Sequence, residues 1–194
     1  MKSAIFLGAM LLGVSAMADP AEVLFNNSKV GQPVYWMDGV TKLSNANFVS
    51  RMYFSTDGSS FTPLGGTFAF NTVAAKAGYW SGNTKRLEFP DSVVQGQTVT
   101  LKAVVWDSTR YASWESGEAA GWLGSGFGDL WSPHGDSKPF SYTAPIGSNP
   151  DHPELYYITG FQSFALTTAP EPSVVALGGL GVIGFIWARA KRIV

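Results

Sequence analysis

The chain of 194 residues contains no cysteine, and this absence removes several kinds of chemistry at once. Disulfide bonds, cysteine catalysis, haem attached through cysteine and thiolate-bound zinc are excluded. A domain without disulfides must take its stability from a hydrophobic core, and a segment of about 150 residues is long enough to form one. The composition predicts one such domain without a cofactor.

Charged residues are also few. Residues 19–168 hold 13 acidic and 9 basic side chains, a net charge of −4. Nucleic acids and anionic membrane surfaces attract strongly basic domains. The charge of this segment therefore argues against either as its partner.

Helical periodicity is missing from residues 19–168, since no stretch of a dozen residues keeps an apolar repeat of 3.6. The alternation of a half-buried strand is clearest in Thr98–Trp106, where every second residue from Val99 to Val105 is apolar. Phe48–Ser55 alternates in the same way. An Asp-Gly turn and then Phe61–Leu64 follow it, which predicts a hairpin or a tight connection.

Six weaker segments also have strand composition, and turn-forming pairs such as Gly65-Gly66 separate them. These segments are Glu22–Phe25, Thr67–Phe70, Gly78–Trp80, Arg86–Phe89, Phe140–Thr143 and Gly160–Leu166. Many short strands separated by turns are typical of a two-sheet sandwich. We predict an all-β domain, an immunoglobulin-like or jelly-roll-like sandwich with Trp106 packed between the sheets; a sheet closed into a barrel is the alternative.

The segment Ser113–Lys138 departs from this pattern because it is rich in glycine and acidic residues. It predicts a long surface loop with one helical turn around Glu115–Ala120. Three tryptophans fall within it: Trp114, Trp122 and Trp131. Exposed indole faces would suit the C–H faces of sugar rings, so glycan stacking is one interpretation. The other is that the rings hold the loop against the sandwich by burying apolar area.

Catalytic patterns are weak. The two histidines, His134 and His152, stand in proline-containing polar loops. Ser132, His134 and Asp136 have the residue types of a catalytic triad, but residues so close along a loop rarely converge as nucleophile, base and orienter. The glycines at 124, 126 and 128 lack the Lys-Ser/Thr of a phosphate loop. We predict no catalytic residue.

Two acidic pairs lie in the same loop, Glu115 with Glu118 and Asp129 with Asp136. Paired carboxylates would suit a glycosidase, and clustered carboxylate oxygens would suit calcium. The spacing of these pairs does not favour a glycosidase site over a solvated acidic loop. The sequence also has no Asp-x-Asp-x-Asp-Gly motif, which would favour calcium. We predict no metal site.

The first 18 residues have the three parts of a secretory signal peptide. Lys2 supplies the charge, Ala4–Val14 the apolar region, and Ala16 and Ala18 the small residues that signal peptidase requires. Cleavage after Ala18 predicts a mature chain that begins at Asp19.

Residues 169–194 contain three consecutive features. They are a rigid triplet (Pro170, Glu171, Pro172), an uncharged apolar run (173–188) and a basic end (Arg189, Lys191, Arg192). As a helix the run would span about 24 Å, which is short against a hydrocarbon core of about 30 Å. A marginal span suits a transient membrane tether better than a permanent anchor. The basic end predicts that the body lies outside the cytoplasm.

This tail resembles the PEP-CTERM sorting signal of bacteria, which exosortase membrane proteases recognise. The family pattern is a Pro-Glu-Pro motif, a membrane segment and an Arg-rich end; here the basic end mixes Lys with Arg and is followed by Ile193-Val194. The body also resembles this class at Gln95–Asp107 and Gln162–Phe164. The resemblance implies sorting by an exosortase and brings no known activity. An ordinary single-span anchor is the alternative.

Together these patterns predict an exported, non-enzymatic protein with a structural or adhesive role. It would be tethered transiently at the inner membrane and then reach the cell surface or the extracellular matrix. The expected partners are signal peptidase, an exosortase-like protease, the membrane and, by the resemblance, exopolysaccharide. A carbohydrate-binding module is the alternative, and a secreted hydrolase is the least favoured.

Overall fold

The computed structural model describes residues 20–80, 86–122, 132–147 and 151–167. Strands make up most of the regular secondary structure of these residues, with one short α-helix and two 3-10 turns, at Ala74–Lys76 and Pro153–Tyr156. The elements are β1 (Glu22–Val23), β2 (Val34–Tyr35), β3 (Phe48–Ser55), β4 (Thr62–Ala69), β5 (Leu87–Glu88), β6 (Thr98–Asp107), α1 (Trp114–Ala119), β7 (His134–Asp136), β8 (Phe140–Thr143) and β9 (Phe164–Ala165). The predicted all-β class is confirmed.

The predicted signal peptide, the Pro-Glu-Pro tail with its membrane segment, and Trp131 lie outside the described residues. Within the described ranges, no helix combines the length and the apolar character needed to cross a membrane.

Strands β3 and β6 form the centre of the main sheet. They pair antiparallel from Phe48 opposite Asp107 to Ser55 opposite Thr100. Strand β4 pairs with the other edge of β3, and β7 and β8 pair one after the other along the second edge of β6. The two sequence segments with the clearest alternation therefore occupy the centre of the sheet.

The inner face of the main sheet carries the larger core. Met52, Leu101 and Val105 are fully buried there, as the alternation predicted. They belong to one buried cluster with Val23 of β1 and Val34 of β2. The facing layer consists of two short ribbons, an antiparallel β1–β5 pair and a parallel β2–β9 pair.

The outer face of the main sheet is buried as well. Val49, Tyr53, Val104 and Trp106 form a second cluster there together with α1. Trp106 is 1% exposed, so its predicted burial is confirmed. Its predicted place between two sheets is wrong, because neighbouring strand residues point to opposite faces and Val105 occupies the inner one.

The predicted turn at Gly65-Gly66 is wrong. Strand β4 runs through both glycines, and its register with β3 shifts between Ser50 and Met52. Gly65 adopts a φ of 67°, and an added Cβ would lie 2.8 Å from a methyl group of Leu87. The pair thus forms a bulge that lets β4 pass close to β5.

The segment predicted as one loop, 113–138, contains more structure than expected. The predicted helical turn is confirmed as α1. His134–Asp136, however, is a strand, with His134 opposite Trp106 and Asp136 opposite Val104. A three-residue strand containing glycine has no detectable alternation, so only its pairing with β6 defines it.

Candidate functional site

Helix α1 lies across the outer face of β3 and β6, where Trp114 and Trp122, two of the predicted site residues, are found. Its first turn is closed by a capping box, in which Ser113 Oγ accepts from the Ser116 N–H at 3.2 Å and Ser116 Oγ accepts from the Ser113 N–H at 3.1 Å. At the other end the Gly121 N–H donates to Glu118 O and the Trp122 N–H to Gly117 O. This pairing is a Schellman motif, which turns the chain back over the helix.

The Schellman motif places the indole of Trp122 on Gly117. Trp122 itself has a φ of 57°, a left-handed conformation that costs a residue with a side chain about 1–2 kcal/mol. Its ring is stacked on the imidazole of His134, with the centroids 4.1 Å apart and the planes at 7°. The ring centroid of Trp114 lies 4.7 Å from that of Trp122. Burial of this aromatic group offsets the backbone strain.

Trp114 and Trp122 are each only 6% exposed. Their burial leaves no open ring face for a sugar, so the glycan-stacking interpretation does not suit these two residues. The burial of both rings agrees with the alternative that the rings hold the segment against the sheet. Trp131 lies outside the described residues.

Ser132, His134 and Asp136 do not assemble as a triad. The His134 Nδ1 lies 2.9 Å from the carbonyl oxygen of Ser132, a backbone acceptor, so Nδ1 carries the proton. The Asp136 carboxylate pairs with Lys102 Nζ at 3.3 Å instead of orienting the imidazole. Among the described residues no group of three His, Asp or Glu side chains has the arrangement of a metal site.

One polar contact ties α1 to the sheet beneath it. The Tyr53 hydroxyl donates to a carboxylate oxygen of Glu115. Burial, assisted by this carboxylate, raises the pKa of Tyr53, which stays neutral. Burial alone would raise the pKa of Glu115, but the Tyr53 hydroxyl, a backbone N–H, Ser113 and Arg51 together hold it below its usual range. These contacts make the outer face a structural cap over the sheet.

Two surface clefts lie elsewhere, in the loops beside β2 and β4. The first has a volume of about 320 Å³ and is lined by Ser28, Asn71, Ala75, Lys76, Tyr79 and Trp80. The second, of about 260 Å³, is lined by Trp36, Thr41, Lys42, Leu43, Ser44 and Asn45. Such volumes are at or near the lower end of those found for small-molecule sites.

The two clefts adjoin. Lys42 Nζ of the second lies 6.0 Å from the ring centroid of Tyr79 in the first. Ser44 Oγ donates to Asn71 O at 3.4 Å, and the Gly78 N–H donates to Leu43 O at 2.7 Å. We refer to these two neighbouring clefts together as the loop groove.

Sequence reasoning missed the loop groove. Apart from Ser28, its walls come from residues 36–45 and from residues 71–80, which are separated by the whole of the β3–β4 hairpin. A local signal exists only for the turn beside Trp36, where Asp38 accepts from the N–H groups of Val40 and Thr41 in an Asx turn.

Comparison with family models, with curated proteins and with solved structures finds no match to this chain.

Proposed function

We propose that this chain is an exported cell-envelope or extracellular-matrix protein that an exosortase-like system sorts through its C-terminal tail. The observation that carries the proposal is the order of three features at the end of the sequence: the triplet 170–172, the apolar run 173–188 and the basic residues at 189–192. Any one of them is common, but in this order, in a chain that also begins with a signal-peptide pattern, they are specific.

The end of the body supports a separate tail. Thr167 and His134 exchange two backbone hydrogen bonds, of 2.7 and 2.9 Å. The chain is therefore held in the body until three residues before Pro170. A processing enzyme would meet the triplet on backbone in which two prolines exclude both helix and sheet.

The role that we propose for the body is structural or adhesive and not enzymatic. The engagement of His134 by a backbone carbonyl and of Asp136 by Lys102 supports this, since neither is poised for proton transfer. The finer fold assignment, an immunoglobulin-like or jelly-roll-like sandwich ahead of one membrane helix, belongs to the same proposal. A main sheet that faces two ribbons across one core is consistent with it.

A carbohydrate-binding role is the second candidate, and the loop groove favours it over a secreted hydrolase. Both proposals place the mature protein at the cell surface or in the matrix after a transient stage at the inner membrane. Signal peptidase and the exosortase-like protease are the processing partners.

Replacing Pro170, Glu171 and Pro172 together with alanine tests the sorting proposal. In a host with an exosortase, the variant should accumulate in the membrane with its tail attached, because residues 173–188 can still insert. Mass spectrometry of the C-terminus reports the outcome, and removal of the host exosortase should reproduce it. Wild-type protein that remains quantitatively intact at Val194 in such a host would refute sorting and favour the plain anchor.

A further inference from the structure

We propose that the loop groove binds an anionic polysaccharide, with sugar rings against Trp36 and Tyr79 and acidic groups paired with Lys42 and Lys76. The inference rests on the proposed surface location, because it supplies the contact through which an exported adhesive protein would hold a matrix. It assigns to this groove the role that Trp114 and Trp122 cannot fill.

Two aromatic residues of the groove, Trp36 and Tyr79, are partly exposed, and the structure holds the ring of the first and the backbone of the second. Trp36 is intermediate in burial, and its indole meets Phe48 edge to face at 5.5 Å. Tyr79 is equally half-buried, and its carbonyl accepts from both the N–H and the side-chain amide of Asn71, each at 2.9 Å. The Trp36 ring, held by Phe48, therefore loses little conformational entropy when a sugar face stacks on it.

Hydroxyl and amide groups surround these rings. Thr41, Ser44 and Asn45 line the cleft beside Trp36, and all three are exposed. The Asn45 Oδ1 accepts from the Asn47 N–H at 2.9 Å, a bond that does not use the amide N–H groups of the Asn45 side chain. A ligand rich in hydroxyl groups matches this lining, because the hydroxyl and amide groups of the wall can form hydrogen bonds with it.

The charge of the groove is positive although the body is acidic overall. Lys42 and Lys76 line it, Lys29 stands next to the lining residue Ser28, and none of the three forms an ion pair with a described residue. The nearby Asp38 accepts from the Thr41 hydroxyl and from the N–H groups of Val40 and Thr41, which lowers its pKa and keeps it ionised, so it offsets one of the three lysine charges and leaves the groove positive. Two unpaired ammonium groups beside flat rings favour a ligand that carries carboxylate or sulfate groups.

The backbone of the walls favours a polysaccharide over an acidic peptide. The Trp36 N–H donates to Thr41 O at 2.6 Å, and the Val34 N–H donates to Gly78 O at 2.8 Å. These two N–H groups are thus paired internally and are not available to a peptide strand, which binds through such groups. Two adjoining clefts suit a linear polymer better than a single sugar.

Isothermal titration calorimetry on the full-length chain in a mild detergent tests the inference. The probes are an alginate hexasaccharide, which is a chain of uronic acids, the neutral cellohexaose, and a hexaglutamate peptide. We expect alginate to bind more tightly than the other two, with an affinity that falls as salt is raised. The double variant Lys42→Glu/Lys76→Glu should weaken alginate binding about tenfold or more.

Three further variants separate the roles of charge and ring. Lys138→Glu reverses an exposed lysine outside the groove and should leave binding unchanged. Tyr79→Ala should weaken binding, whereas Tyr79→Phe keeps the ring and should retain it. Because Tyr79→Ala removes a ring that also packs within the loop, circular dichroism is recorded for each variant. The exposed lysine pair provides the test that does not depend on folding.

Several results would overturn the inference. They are a lack of alginate binding, equal binding of the neutral glucan with no effect of the lysine variants, or tighter binding of hexaglutamate through the same lysines. None of these bears on the sorting proposal, which is read from the mature termini alone. Conversely, alginate binding in the titration together with a C-terminus that stays intact at Val194 in a host with an exosortase would support the groove and refute the sorting route.

Discussion

Replacing Gly117 with alanine tests whether Trp122 or helical preference decides the stability of α1. Considered as a helix alone, α1 should gain about 1 kcal/mol, since glycine is a poor helix former. In the folded protein, however, the added methyl group would lie 2.1 Å from Cζ3 and 2.4 Å from Cη2 of Trp122. Carbon atoms in contact need about 3.5 Å, so the indole must shift by roughly 1 Å or more.

The indole has little room for that shift. Its ring centroid already lies 4.1 Å from His134, 4.7 Å from Trp114 and 5.3 Å from Tyr111. Overpacking of this kind costs about 1–3 kcal/mol, and loss of the whole buried ring about 3–5 kcal/mol. After the gain in helix propensity of about 1 kcal/mol is subtracted, we expect Gly117→Ala to lower the free energy of unfolding by about 0–2 kcal/mol if the indole shifts in place and by about 2–4 kcal/mol if it is displaced.

Urea unfolding followed by tryptophan fluorescence measures this change. Glu118→Ala, an exposed substitution on the same helix, is the control and should alter stability by less than about 0.5 kcal/mol. In a Trp122→Ala background Gly117→Ala should become neutral or stabilising, because the obstructing ring is gone. A stabilised single variant, or an equal cost in both backgrounds, would refute the steric argument.

Three other predictions concern the core, the acid limit of stability and the N-terminus. Val105→Asp places an unpaired carboxylate at a fully buried position and should cost about 3–5 kcal/mol in chemical unfolding. Glu115 has a lowered pKa in the folded state, so its bond to Tyr53 stabilises above the ordinary value of 4.5 and is lost as pH falls through the folded value. Tyr53→Phe should therefore make unfolding less sensitive to pH in that acid range. The mature exported chain should begin at Asp19, and a bulky residue in place of Ala18 should retard its processing.

For each of these three predictions, a control or a different outcome would contradict the reasoning. Val94→Asp, at a position that is 55% exposed, should cost less than about 0.5 kcal/mol, and an equal cost at both positions would contradict the assigned core face. An acid transition identical in wild type and Tyr53→Phe would show that the hydroxyl does not hold the Glu115 carboxylate. An exported protein that retains residues 1–18 would contradict the signal peptide.

The all-β class and the centre of the main sheet follow from local sequence. A strand places successive side chains on opposite faces, so the alternation in Thr98–Trp106 and Phe48–Ser55 identifies inner-face residues such as Leu101 and Met52 without knowledge of the partner strands. The α1 turn is local as well, because its capping box and its Schellman motif lie within the segment 113–122. The export and sorting predictions also depend on short contiguous patterns, and they remain predictions.

The tertiary structure decided what local patterns leave open. Gly65-Gly66 has the composition of a turn, but pairing with β3 and the proximity of Leu87 make it a bulge within β4. Trp122 lies in a glycine-rich segment with the composition of a surface loop, but Gly117 and His134 provide the surfaces that bury its ring. The loop groove joins Trp36 to Tyr79 across more than forty residues of chain. Contacts between segments so far apart are set by the packing of the whole domain, and neither composition nor periodicity within one segment carries that information.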